Sequence, residues 1–256
     1  MKADSLVLRN CTALDDFRVC VALQREVWGF SDAELVPLRI FSLAPKIGGQ
    51  VVGAWDGKTL VGYAMAIPGN RNGHPYLHSH MVAVKEGHRN TGLGRRLKLF
   101  QRDDAIARGY ELMEWTFDPL EIKNAYFNLE RLGAIARRYN VNQYGITESP
   151  LQGSLPTDRL VAEWWMTSRR VQAMLANGHP AIQVEERINV PRQIYDWKAD
   201  RNLRTKAEGI QARNRSLFQT AFARGLTCIG YERAADGSGS FQLGRWDENL
   251  SYASNP

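Results

Sequence analysis

Residues 89–94 read Arg-Asn-Thr-Gly-Leu-Gly, an R-x-x-G-x-G run that leaves a strand-like segment and enters a helix-forming one. Glycines at alternate positions let backbone N–H groups approach a ligand closely, and the first turn of the next helix adds unpaired donors and a partial positive charge. Arg89, Arg95 and Arg96 bring formal charge to the same place. This combination suits the holding of phosphate. A Walker A loop would need G-x-x-x-x-G-K-[ST], and no stretch of the chain has that spacing: Gly57-Lys58-Thr59 has Val52, not glycine, five residues before Gly57. A dinucleotide fingerprint would need a third glycine where Leu97 stands, and the incoming strand follows a hairpin instead of starting a βαβ unit. The bland alternative for the hexapeptide alone is a glycine-containing helix entry with no ligand.

Upstream, Tyr76–Val84 (YLHSHMVAV) reads as a strand, and strict alternation would put His78, His80, Val82 and Val84 on one face. An imidazole there is a candidate general base. Two histidines at i, i+2 also suit a metal, but no third ligand converges in the pattern, so no metal is expected. Glu114, in the strand-like run 111–117, is a second candidate base or amine-binding carboxylate; a surface glutamate on a strand is the ordinary alternative.

The elements that must position these groups alternate in a readable order. A short strand at 5–9 precedes a helix through Trp28 and a second helical stretch at 32–43 interrupted by Pro37. GGQVVGAW and TLVGYAMAI flank Asp56-Gly57 as a hairpin, and Asn70–Pro75 reads as a polar loop. After the glycine loop comes a long helix with Leu93, Leu97, Phe100 and Ile106 as its buried stripe, then a strand at 111–117. A helix over 121–132, closed by Gly133, leads to a strand at 134–144. Two prolines and a glycine in 149–158 mark a boundary. Beyond it lie LVAEWWM, a helix at 168–177, strand-like AIQVEE, a basic helix at about 200–224, LTCIGYER, a DGSGS turn and SFQLGRW.

The ordered set of hairpin, strand, R-x-x-G-x-G, helix, strand and a helix ending NLERLGA resembles the GNAT superfamily of acyl-CoA-dependent N-acyltransferases over roughly residues 5–148. The resemblance implies an α/β (α+β) fold, a mixed, twisted central sheet flanked by helices, here followed by a C-terminal α/β extension. LPTDRLVAEWWM is similar to a bacterial branch with such an extension. Residues 1–148 would form the acyl-CoA-binding core, and 149–256 a substrate-binding or dimerisation unit. By the same resemblance Arg89, Asn90, Thr91, Gly92, Leu93, Gly94 and Arg95 would contact the CoA pyrophosphate. Val82, Ala83 and Val84 would pair with the pantetheine arm, and Asn124 would lie near it. His78 stands where histone-modifying members carry a glutamate base. Many members carry a tyrosine acid four residues before the glycine of the Leu-Gly pair; that position is Leu129 here, and Tyr126, one helical turn earlier, is the candidate replacement.

The implied activity is transfer of an acyl group, acetyl above all, from acyl-CoA to a primary amine of a small or amino-acid-like molecule, with homodimerisation through the extension as a further expectation. The alternative that Leu129 motivates is an acyl-CoA-binding regulatory or structural protein without turnover. A third is nucleic-acid binding, motivated by the net charge of +6 and by Arg187–Arg215. There Arg187, Arg192, Lys198, Arg201, Arg204, Lys206, Arg213 and Arg215 stand against Asp196, Asp200 and Glu208. The segment lacks the aromatic interleaving of a single-strand binder, so a solvated helix face is preferred over nucleic acid. The Trp164-Trp165 pair reads as core or interface. Three scattered cysteines exclude a disulfide scaffold, and no apolar run is long enough for a signal peptide or a membrane span, which together suggest a cytoplasmic protein.

Overall fold

Alternating apolar residues in the first half of the chain build an antiparallel meander, and its turns are set by residues that tolerate positive φ. The computed structural model describes residues 6–146, 153–246 and 248. β1 (Val7–Asn10), α1 (Leu14–Trp28) and α2 (Leu38–Leu43) come first, followed by a 3-10 turn at Ala44–Ile47. β2 (Gln50–Asp56) and β3 (Thr59–Arg71) join through Gly57 at φ +56, and β4 spans His74–Val84. The expected loop at Asn70–Pro75 is instead a continuation of the sheet: Asn72 and Gly73, at φ +53 and +85, form a two-residue turn that leaves Arg71 paired with His74. Asn-Gly is the preferred pair where both central residues need positive φ.

α3 (Leu93–Ala107) follows β4 and leads into β5 (Leu112–Phe117). α4 (Ile122–Tyr126) then passes into a π-helical turn at Phe127–Arg131, where a single regular helix was expected. β6 (Ile135–Asn140), β7 (Arg159–Trp165), α5 (Arg169–Leu175), β8 (Glu186–Val190), α6 (Ile194–Ala199), α7 (Arg204–Ala223), β9 (Thr227–Arg233) and β10 (Gly239–Gly244) complete the order. The chain therefore has the expected mixed α/β character, with mostly antiparallel strands flanked by helices. The strand read at AIQVEE begins only at Glu186.

The chain divides into two compact units, with the described residues up to Glu114 in one and those from Trp115 onward in the other. In the first, β1, β2, β3 and β4 pair antiparallel in chain order, and β4 pairs with β5 in parallel. One face buries Phe17, Phe41, Tyr63, Met65 and Met81 against α1 and α2, and the other buries Val52, Ala64, Leu93 and Leu97 beneath α3. α1 starts where the Asp16 carboxylate accepts the N–H groups of Thr12 and Ala13, and Arg9 holds that carboxylate at 2.8 Å.

In the second unit β7, β6, β9, β10 and β8 lie side by side, all antiparallel where paired. Phe218 of α7 packs among Tyr139, Phe222 and Phe241. The Trp164 ring meets Trp115 edge to face, and its Nε1–H donates to the Leu132 carbonyl at 2.7 Å, so the tryptophan pair is core, as its composition suggested. The boundary expected at 148/149 lies outside the described residues, and β6 and β7 on either side of it pair directly.

Candidate active site

The glycine loop has the geometry of an anion cradle. Asn90 and Gly92 both adopt left-handed backbone, at φ +61 and +85, and Gly92 is the N-cap of α3. Glycine offers no side-chain cap, so the amides of Leu93, Gly94 and Arg95 precede the first intrahelical bond, from Arg96 N–H to the Gly92 carbonyl. A Cβ built at Gly87, Gly92 or Gly94 would meet nothing within 4 Å, which leaves the approach to these amides open. Thr91 Oγ1 ties the loop to the His88 carbonyl at 2.7 Å, and Arg89 Nε donates to the Val84 carbonyl at 3.1 Å. Arg96 donates to the Leu6 carbonyl, so its charge is partly engaged. Both ring nitrogens of His88 are buried without a partner. The sequence offered one signal for His88, its place directly before Arg89.

β4 departs from strict alternation. The β3–β4 register shifts between Met65 and Ala66, so that Met65 faces Met81, Ala66 faces Ser79, and His80 is the extra residue of a β-bulge. Ser79 reaches α3, as do Val82 and Val84, whereas Met81 and Ala83 pack on the α1 and α2 side. The expectation that His78, His80, Val82 and Val84 share a face is corrected accordingly: the bulge turns the strand over at His80. The two imidazoles still lie close, their ring centroids 5.9 Å apart. β4 pairs with β5 only at Leu77–Met113 and His78–Glu114, and the β5-side ladder does not extend to Val82, Ala83 and Val84.

Burial, with His80 and Lys98 nearby, pushes His78 down to about 4, so the imidazole is neutral at physiological pH. Glu114, beside it in register, is not a free carboxylate: Arg71 engages both oxygens at 2.6 and 2.7 Å, and the glutamate side chain is 3% exposed. Arg71 also lies over the Tyr76 ring. Sequence reasoning missed Arg71 because the hairpin that extends β3 to it was read as loop. It also missed Lys98, buried in α3, which donates to Ser79 Oγ at 2.8 Å; Ser79 donates in turn to Gln101. Desolvation holds the Lys98 ammonium well below its ordinary range. The buried face of α3 runs Leu93, Leu97, Gln101, Ala105, an i+4 series disguised by one glutamine, while Phe100 and Ile106 are half-buried.

Asn124 and Tyr126 belong to the second unit. Asn124 is exposed on α4, and Tyr126, its last residue, is half-buried with the Arg233 guanidinium 5.6 Å above its ring. Beyond them the π turn changes the angular relation that a regular helix would give. Asn128 and Leu129 both point into the core; Asn128 Oδ1 accepts the Trp115 indole N–H, and the Leu129 carbonyl accepts Arg170.

Four of the eight basic residues at 187–215 are engaged from within. Arg187 pairs with Glu232, Arg215 with Asp158, and Lys198, 5% exposed, with Asp118 and Glu121. Arg213 bonds the Asn189 carbonyl and Asn214. Among the described residues no three His, Cys, Asp or Glu side chains group as a metal site, and no helix is long and apolar enough to cross a membrane.

Residues 18–133 match the model of the acetyltransferase (GNAT) family. No curated protein matches the sequence. Among solved structures, the chain is similar to the ribosomal-protein-S18-alanine N-acetyltransferase of Escherichia coli, with a TM-score of 0.51 at 13% identity over 64% of this chain and 95% of that one. An N-acetyltransferase from Staphylococcus aureus aligns with a TM-score of 0.52 at 11% identity, over 63% and 99%. The Salmonella typhimurium protein yncA, solved with its cofactor acetyl-CoA, aligns at 0.50 and 15% identity, over 70% and 98%. At these identities the likeness speaks to fold.

Proposed function

Residues 18–133 belong to the acetyltransferase (GNAT) family, and from that premise we propose that the chain transfers an acetyl group from acetyl-CoA to a primary amine of a small or amino-acid-like molecule by direct attack. The observation that carries the proposal is the start of α3: a left-handed glycine N-cap, the Leu93 and Gly94 amides ahead of the first intrahelical bond, and open space at Gly87, Gly92 and Gly94. These features fit the diphosphate of CoA. In this reading Arg89 to Arg95 hold the diphosphate, chiefly through backbone amides, and the backbone of Val82, Ala83 and Val84 pairs with the pantetheine arm where β5 offers no ladder. Asn124 is assigned to the same arm.

Acetyl-CoA supplies an acyl carbon already activated as a thioester. The chain must then manage protons. An alkyl ammonium with pKa about 10.4 is only about one part in a thousand neutral near pH 7.4, so the free amine is scarce. His78, neutral above about pH 4, accepts the proton that the amine nitrogen sheds as its lone pair is engaged. Tyr126 Oη donates toward the departing sulfur in place of the missing acid. Glu114, held by Arg71, positions the strand at His78 and is not the base. Residues 149–256 are assigned to acceptor binding or homodimerisation, and the protein to the cytoplasm.

Release of CoA from acetyl-CoA across a panel of amines tests the reading; no release with any amine, alongside tight CoA binding, would favour a non-catalytic acyl-CoA-binding protein. The burial of Leu129 at the acid position is the observation on that side.

A further inference from the structure

A cavity of about 680 Å³ beside α5 in the second unit is lined by apolar Ala173, Ile182 and Ile229 and by Arg170 and Trp246. Arg170 is 5% exposed. Among the described residues its guanidinium makes one hydrogen bond, from Nη2 to the Leu129 carbonyl at 2.9 Å, and has no carboxylate within ion-pair distance, while its Nε–H has no acceptor. The indole N–H of Trp246 is likewise buried without an acceptor. A buried guanidinium whose charge Glu130 and Glu248 offset only from beyond ion-pair distance, and an unpaired indole donor, are each costly, by amounts that an anionic acceptor would offset.

The carboxylates already at the cavity do not meet this need. Glu248 accepts the backbone amides of Arg169 and Arg170, and Glu185 faces Arg245 at 3.6 Å. Three arginines against two engaged glutamates leave the lining with an excess of positive charge. The apolar walls beside these donors select against a small, fully hydrated ion such as phosphate.

We propose that this cavity binds a small organic carboxylate with an apolar body, its carboxylate against Arg170 and Trp246 and its hydrocarbon against Ile182 and Ile229. Because Arg170 also holds the Leu129 carbonyl, the ligand acts on the guanidinium that ties down the π turn after α4. The assignment stands apart from acyl transfer and is read by binding alone.

Isothermal titration calorimetry on the full chain, with hexanoate, hexanamide, acetate and inorganic phosphate as probes, tests it. Hexanoate is expected to bind saturably at one site per chain, at least about tenfold tighter than hexanamide, which has the same shape without the charge, or acetate. Trp246→Phe, which keeps the ring and removes the donor, should weaken hexanoate roughly threefold or more, and Arg170→Met should weaken it further. If Arg170→Met fails to fold by circular dichroism, Arg170→Lys and Trp246→Phe carry the test. Hexanoate binding no tighter than hexanamide would overturn the proposal, as would unchanged affinity in the variants that fold, or binding of phosphate alone.

Discussion

Two polar regions flank β4, and they treat their donors and charges in opposite ways. At the start of α3 the amides of residues 93–95 precede the helical ladder, Gly92 gives no cap, and the surrounding space is open. Around His78 the polar groups are enclosed and engage one another: Arg71 with Glu114, Lys98 with Ser79, Ser79 with Gln101. The first arrangement leaves helix-start amides facing open space. The second is largely closed on itself, so substitutions at its supporting pairs, Arg71 with Glu114 and Lys98 with Ser79, should act on stability while those at the loop act on binding.

The largest expected effect tests the enclosed region. Glu114→Ala leaves Arg71 without its bidentate partner, and urea unfolding should show a loss of about 3 kcal/mol, at the lower end for a broken buried pair because Arg71 is partly exposed. A change below about 0.5 kcal/mol would mean that this pair is not holding the strand.

A comparable effect should appear with pH. The unfolded chain takes a proton on His78 near 6.5, and the folded chain not until about 4. The unfolded state therefore binds more protons between these values, and stability falls as pH drops through that window. The difference amounts to about 3 kcal/mol, fully present above pH 6.5 and lost toward pH 4. Denaturant melts of wild type and His78→Gln at pH 7 and pH 4.5 should show the gap closing in the variant; parallel curves would contradict the burial of His78.

Next comes Trp164→Phe, which removes the donor to the Leu132 carbonyl at the end of the π turn and shrinks a buried ring. Chemical denaturation should register a loss of about 2 kcal/mol. The smallest effect is expected at the open loop. Asn90→Gly keeps the left-handed backbone at φ +61, and its thermal midpoint should correspond to a change of no more than about 0.5 kcal/mol. A large loss would show that the loop is a structural element in its own right.

The contrast also explains what the sequence made legible. Gly92 and Gly94 announce a loop because the backbone requirement is written in residue type, and Asp56-Gly57 announces its hairpin for the same reason. The bulge at His80 carries no such mark, since HSHMV alternates as well as any strand, and only the register against Met65 and Ala66 reveals it. The π turn at Phe127–Arg131 hides equally well among good helix formers. Lys98 carries no mark of burial in its residue type, and only packing against Ser79 of β4 reveals it. Glu114 was found, but its role depended on Arg71, 43 residues away across a hairpin read as loop. The glycine loop is local and could be read; the environment of the catalytic candidates is tertiary and could not.

Acetyl-CoA binding, measured by titration calorimetry on wild type and Gly92→Asp, addresses the central claim most directly. The account predicts saturable one-to-one binding by the wild type. In the variant, with far-UV circular dichroism unchanged, affinity should be weaker by on the order of a hundredfold, because a carboxylate at the N-cap engages the first-turn amides and repels the diphosphate. Equal affinity in the two proteins, or no binding by the wild type, would contradict it.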